Sequence, residues 1–284
     1  MKNHLTIFSL FCVSGFVAAQ ENINYLPQLN DTIKTVSEKK LLPKVNHAEP
    51  LYIDLMRDLG AKKGEAEVNL GFKIASHQEY IAYNGFIEYE WAIADHLGME
   101  VEIPFSFNNK NSNNEGSFNV PNNKIEGLKL ATQYTFLVNE QHKTSMAIAY
   151  IHEFELNNFK ELGRQKTAFT GMKMNPVFIA AKNLKDFNTL IYTGPVIEHT
   201  YKTDKITVGG TINTSIMYVI PNSKNFVGIE NNMDIGKKSF YYTLRPQLKL
   251  ALKNNFSIGV VTGIPITKHN DTNLDIMTRI IWEP

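Results

Sequence analysis

The sequence is nearly without cysteine: its single one, Cys12, lies close to the start. Tryptophan occurs twice, basic and acidic residues almost balance at 29 and 28, and no run reaches 18 consecutive apolar residues. Each shortage excludes something. A helix that crosses a bilayer needs about 20 mostly apolar residues, so helical spans are ruled out. A nucleic-acid binder would show a basic stripe, and balanced charge argues against one. With Cys12 inside a leader, the rest of the chain has no disulfide, thiolate metal site or cysteine nucleophile.

The leader itself is plain. Met1-Lys2-Asn3-His4 makes a basic start, Leu5 to Val17 an apolar run too short to span, and Ala18-Ala19 a small-residue site. Together they predict a secretory signal peptide cut after Ala19. Phe11, just before Cys12, stands where a lipoprotein site wants a small residue. Removing residues 1–19 takes away one lysine and no acid, leaving 28 charges of each sign. An exported chain with 11% aromatics and no helical span is either a soluble β protein or an outer-membrane barrel.

What is present decides between them. From Tyr80 to Phe107 the chain reads as two long strands around a short turn at Ala94-Asp95-His96. Ile81, Tyr83, Ile87, Tyr89, Trp91 and Ile93 fall on one side, and Asn84, Phe86, Glu88 and Glu90 on the other. Past the turn, Met99, Val101, Ile103, Phe105 and Phe107 alternate with Gly98, Glu100, Glu102 and Ser106. Alternation of this kind needs extended backbone, because successive side chains point to opposite faces. The usual strand has about five or six residues. Strands of about 9–11 or more, apolar on one face only, are what a transmembrane barrel requires.

Twelve such strands follow from Glu65. They are predicted at Glu65–Ala75, the two of the hairpin, Ile125–Val138, Thr144–Leu156, Ala168–Ala181, Phe187–Glu198, Thr207–Ile220, Phe226–Ile235, Phe240–Leu252, Phe256–Ile266 and Leu274–Trp282. The sixth and seventh have open registers, since Pro176 and Pro195 interrupt them and both faces carry apolar residues. Alternate connections are tight: Ala94–His96, Asn139–His142, Lys182–Asp186, Pro221–Lys224 and Lys253–Asn255. Most of the others are longer and polar, as at Asn108–Asn123, Asn157–Lys166 and Thr267–Asn273, with Ser76–Glu79 a short exception. Short turns on one side and long loops on the other belong to bacterial outer-membrane barrels. An even strand number brings both ends to the short-turn, periplasmic side. Trp91, Tyr134, Phe136, Tyr218 and Trp282 near one end, with Phe105, Phe107 and Phe154 near the other, suit two interfacial aromatic belts.

The chain therefore divides into a leader (1–19), a periplasmic linker with a short helix (20–64) and an all-β, antiparallel up-and-down transmembrane barrel of about 12 strands (65–284). Residues 20–46 are polar and broken by Pro27 and Pro43. Pro50 at a first helical position, a stripe of Leu51, Leu55, Met56 and Leu59, and Gly60 as a stop predict a short amphipathic helix over 49–59. It suits the membrane surface, a plug in the pore, or a place beneath the barrel.

The stretch His47–Glu65, HAEPLYIDLMRDLGAKKGE, resembles a family of outer-membrane β-barrel proteins from Bacteroidota. The resemblance extends loosely over the barrel and implies the fold more than the function. Some relatives carry the label phosphoribosylformylglycinamidine synthase; an exported chain with no glutaminase cysteine and no nucleotide-cradling glycine loop gives that label no support. Such barrels usually finish on an aromatic residue read by the assembly machinery, whereas this chain departs with Trp282-Glu283-Pro284.

If the apolar rows face lipid, the opposite rows line the lumen. They offer Glu88, Glu90, Glu100, Glu102, Glu153 and Glu155 as acids, and Lys129, Lys173, Arg245, Lys249 and Arg279 as bases. Arg or Lys at the lipid midplane would cost about 2–4 kcal/mol, so charges should gather inside. There they form either a selective pore or ion pairs that close a narrow lumen. No cofactor or metal is expected. His152-Glu153-Phe154-Glu155 lacks the second histidine of a zinc helix and lies in a strand. Gly209-Gly210 suits a strand kink, and Asp31-Thr32-Ile33 fits a loose glycosylation pattern. The expected role is a porin-like channel or transporter for small solutes, with a non-conducting structural barrel as alternative and an outer-membrane hydrolase behind both. Expected partners are outer-membrane lipid and lipopolysaccharide, the barrel-assembly machinery and small solutes.

Overall fold

The computed structural model describes residues 43–53, 55–77, 79–110, 120–162, 164, 168–267 and 274–284. The leader, most of the linker and the Asp31-Thr32-Ile33 pattern lie outside the described residues, as do the central parts of three long loops.

The strands are β1 (Ala66–Ser76), β2 (Tyr80–Ala94), β3 (Leu97–Lys110), β4 (Lys124–Ile125), β5 (Gly127–Asn139), β6 (Thr144–Leu156), β7 (Phe169–Leu184), β8 (Phe187–Thr200), β9 (Lys205–Val219), β10 (Phe226–Ile235), β11 (Phe240–Lys253), β12 (Phe256–Pro265) and β13 (Leu274–Trp282). β4 and β5 both pair with β3 and are two pieces of one stave, interrupted at Glu126. Every neighbour is antiparallel, and β1 pairs with both β2 and β13, which closes a ring of twelve staves. Closure removes every sheet edge, the condition for a sheet to stand in lipid.

Most predicted bounds agree within a residue or two. The sixth and seventh strands are longer than predicted, and the Lys182–Asp186 connection shrinks to Lys185-Asp186 between β7 and β8. Their register breaks where expected. Pairing runs to Met174↔Ile197 and resumes at Phe178↔Thr193. Proline lacks an N–H for the ladder, so Pro176 and Pro195 share this gap, and Asn175 Nδ2 donates to the Pro195 carbonyl at 2.7 Å. A Cβ at Gly194 would lie 2.0 Å from the Pro176 carbonyl oxygen, which is why glycine stands opposite.

The ring is inverted relative to a water-soluble core. Phe72, Ile74, Ile87, Ile103, Ile148 and Ile216 are each about half exposed on the outside. Asn69, Glu90, Gln133, Ser145, Glu230 and Arg279 are almost wholly buried inside. Tyr134, Phe136, Tyr218 and Trp282 are exposed at the short-turn end, and Phe107 at the loop end. A contiguous apolar coat of this extent is far beyond the few hundred Å² that soluble monomers show.

The short helix over 49–59 is not there. Among the described residues, the chain from 43 to 64 takes bends and turns, with Gly60 and Gly64 at positive φ. Its peptide groups are satisfied by the wall instead of by each other. The Leu51 N–H donates to Gln247 Oε1 at 2.7 Å and the Ile53 N–H to a Glu230 oxygen at 3.0 Å. The Arg57 carbonyl accepts from Gln133 Nε2 at 2.6 Å. With these partners in place, a helix would gain nothing for the same groups.

Candidate functional site

Residues 43–61 cross the bore at the short-turn end and act as a stopper. His47 Nε2 meets Ser145 Oγ on β6 at 2.9 Å, and the Ala48 N–H donates to Asn188 Oδ1 on β8 at 3.2 Å. Glu230 of β10 and Gln247 of β11 hold the next residues, and Arg57 pairs with Glu67 of β1 at 3.2 Å and Glu90 of β2 at 3.6 Å. The apolar side chains divide between walls. Leu51 packs with Met217, Phe226, Val261, Met277 and Ile281. Leu55, Met56 and Leu59 pack on β5–β8, against Ala131, Ala147, Ala149 and Ala181 among others. Two wall glycines leave dents for the segment: a Cβ at Gly98 would lie 2.6 Å from the Arg57 Cβ, and one at Gly259 would lie 2.6 Å from Leu51.

Charges pin the ends of the stopper. Lys44 Nζ lies 3.0 Å from Glu65 and 3.5 Å from Asp58. Burial would raise the Asp58 carboxyl, yet a hydrogen bond with Glu49 and the charges of Arg57, Lys44 and Lys249 outweigh it and hold it at about 2. Burial and the Asp58 charge push the Glu49 carboxyl up. Burial lowers the His47 imidazole to about 4, against the pull of Asp58. Released, the same histidine titrates near 6.5, so the free segment gains a proton before the seated one does. The His47 contribution to seating is therefore complete above about pH 6.5 and is lost as pH falls towards about 4, while the raised Glu49 carboxyl works in the opposite sense. Between about pH 7 and about 4.5 a spin label at Ala48→Cys should gain mobility relative to the same label in the His47→Asn variant, which lacks the titrating ring. The same pH response in both proteins would remove His47 from the seat.

Above the stopper lies a cavity of about 1590 Å³, floored by Tyr52, Ile53 and Met56 and rimmed by loop-end residues such as Lys205 and Lys238. The structure places every sequence-predicted lumen residue on the inner face and binds most of them into networks. Arg279 reaches Glu88 at 2.8 Å and Asn69 at 3.1 Å, while Asn69 donates to both Glu88 and Glu90. Lys129 sits among Glu100 (2.9 Å), Glu102 and Glu88. These three carboxylates have a spacing that could hold a metal ion, but the Lys129 ammonium already supplies the cation. Arg245 pairs with Asp275 at 2.7 Å and lies 3.4 Å over the Tyr52 ring. Lys173 pairs with Glu198 and stands opposite Glu153, and Glu155 lies against Gly171. Lys249 shares the inner face with Gln247 below them.

Sequence reasoning missed Glu67, Asn69, Glu230 and Asp275, all on the inner parity of β1, β10 and β13. Alternation carried through β1, β10 and β13 finds them. It also missed Tyr52 and Arg57, for which strand parity offers no signal. His152 hydrogen-bonds Tyr150 at 3.0 Å and packs against Phe154 with tilted rings 4.3 Å apart, in an aromatic row on β6.

Residues 43–283 match the model of a single protein family, described as HAEPLYID-like. The chain belongs to the HAEPLYID-like family. The eight residues that spell that name are residues 47–54 here, and His47–Ile53 are part of the stopper. Among solved structures, the HAEPLYID-like chain is similar to an outer-membrane channel from Pseudomonas putida F1, at 9% identity and a TM-score of 0.62, covering 82% of this chain and 100% of that one. It is also similar to the KdgM porin (12% identity, 76% and 98% covered, TM-score 0.51) and the NanC porin (11%, 77% and 99%, 0.51). At these identities the likeness shows a shared barrel fold. A search of curated proteins finds no match.

Proposed function

We propose that this HAEPLYID-like protein is an outer-membrane channel for small polar solutes, exported by a leader cut after Ala19. In this reading the short-turn end faces the periplasm and the stopper closes that mouth. The observation that carries the reading is the cavity of about 1590 Å³ that opens at the loop end and stops on Tyr52, Ile53 and Met56. A barrel of about eight strands fills with its own side chains, whereas twelve staves leave room that here is partly filled by the segment preceding β1. The barrel's likeness to channels and porins supports the same reading. Lipid and lipopolysaccharide would surround the apolar coat, and no catalytic step is assigned. The full-length protein in planar bilayers should show discrete current steps, and liposomes carrying it should admit small solutes. A barrel that stays silent with the stopper seated and with it released is instead a structural one.

A further inference from the structure

The charges around the cavity are sorted by side. Along the arc from β2 to β8 the described lining carries six carboxylates, Glu88, Glu100, Glu102, Glu126, Glu153 and Glu198, against the ammonium groups of Lys129 and Lys173. Along the arc from β9 through β13 to β1 it carries five cations, Lys73, Lys205, Lys237, Lys238 and Arg279, against the carboxylate of Asp234. Glu88 and Arg279 pair with each other at 2.8 Å; without them the described lining is still neutral, with three surplus negative charges facing three surplus positive ones. Each arc is an unbroken run of hydrogen-bonded staves, so the sorting is fixed by the order of strands around the ring.

A neutral cavity with opposed walls neither attracts nor repels an ion of one sign over distance. A solute carrying both signs, however, gains on each wall at once, and a cleft with low-dielectric sides keeps that field from being screened. The floor suits such a solute. Lys73 Nζ lies 5.6 Å from the Tyr52 ring, and the Tyr52, Ile53 and Met56 side chains offer an apolar base between the arcs. We infer that the cavity binds small zwitterions, amino acids or short peptides, with the ammonium on the β2–β8 arc and the carboxylate on the β9–β1 arc. This rests on the channel reading for its biological sense, but the binding itself does not need conduction.

Triglycine, its C-terminal amide and its N-acetyl derivative have nearly one size and differ in charge. Titration calorimetry on the folded full-length protein in detergent should show triglycine binding at least tenfold more tightly than either singly charged form. Glu153→Gln with Glu198→Gln should erase the advantage over the acetyl form, which has no ammonium to lose. Lys73→Gln with Lys238→Gln should erase the advantage over the amide. All four positions are on the water-facing side of the cavity, and heat-modifiable migration on gels checks that each variant still folds. Tightest binding by the amide or by the acetyl form, or no binding by any of the three, overturns the inference. Binding in a protein that never conducts leaves the inference standing and defeats the channel reading; conduction with no zwitterion preference does the reverse.

Discussion

Replacing Leu51, Leu55, Met56 and Leu59 together by serine should raise single-channel conductance at least tenfold. Each of these side chains is 2% exposed or less, and burying a leucine or methionine is worth about 1.5–3 kcal/mol. The segment is tied to β1 by a few residues only, so its seating competes with a tethered, freely moving state rather than with unfolding of the ring. Serine at four positions removes most of that burial, while the wall hydrogen bonds to Gln133, Glu230 and Gln247 are too few to hold the segment alone. The converse variant pairs Ala48→Cys with Asn188→Cys, at positions that already touch. Oxidised, it should pass no solute; reduced, it should behave as the unaltered protein. If the serine variant conducts no better than the parent, the segment is not what stops the lumen.

Arg279→Met should destabilise the barrel by about 3–5 kcal/mol, the usual cost of breaking a buried ion pair from one side. Arg279 is 2% exposed and serves Glu88 and Asn69 together. Its loss leaves Glu88 without its nearest cation at the seam where β1 and β13 close the ring. The midpoint of urea unfolding and the temperature at which the folded band shifts on gels should both drop. Arg279→Met combined with Glu88→Gln should recover much of the loss, because the damage lies in the stranded carboxylate more than in the missing arginine. An unchanged midpoint for the single variant would mean that the network does not hold the seam.

Much of the molecule was open to reading from residues alone. Glu88, Glu90, Glu100 and Glu102 alternate with Ile87, Tyr89, Val101 and Ile103, and a period of two sustained over strands this long leaves few solutions other than a closed barrel. The inner face was legible to the same degree, since parity puts Lys129, Arg245 and Arg279 beside those acids. Two things resisted. Val177, Ile179 and Ala181 with Leu190 and Tyr192 made both faces of β7 and β8 look apolar, because alternation reports which face a residue takes and not what lies against it. The inner wall is apolar there to receive Leu55, Met56 and Leu59. Likewise the spacing of Leu51, Leu55, Met56 and Leu59 fits one helical stripe, but Leu51 serves one wall and the other three serve another.

The sequence by itself determined a strand-built membrane barrel, its number of staves and much of the charge on its inner rows. These follow from local rules: alternation along a strand, turn residues and the cost of charge in lipid. Only the tertiary structure decided that residues 43–61 stop the bore and that the inner charges face one another as an acidic and a basic arc. Both depend on which distant segments share the inside of the ring, and no local rule carries that information.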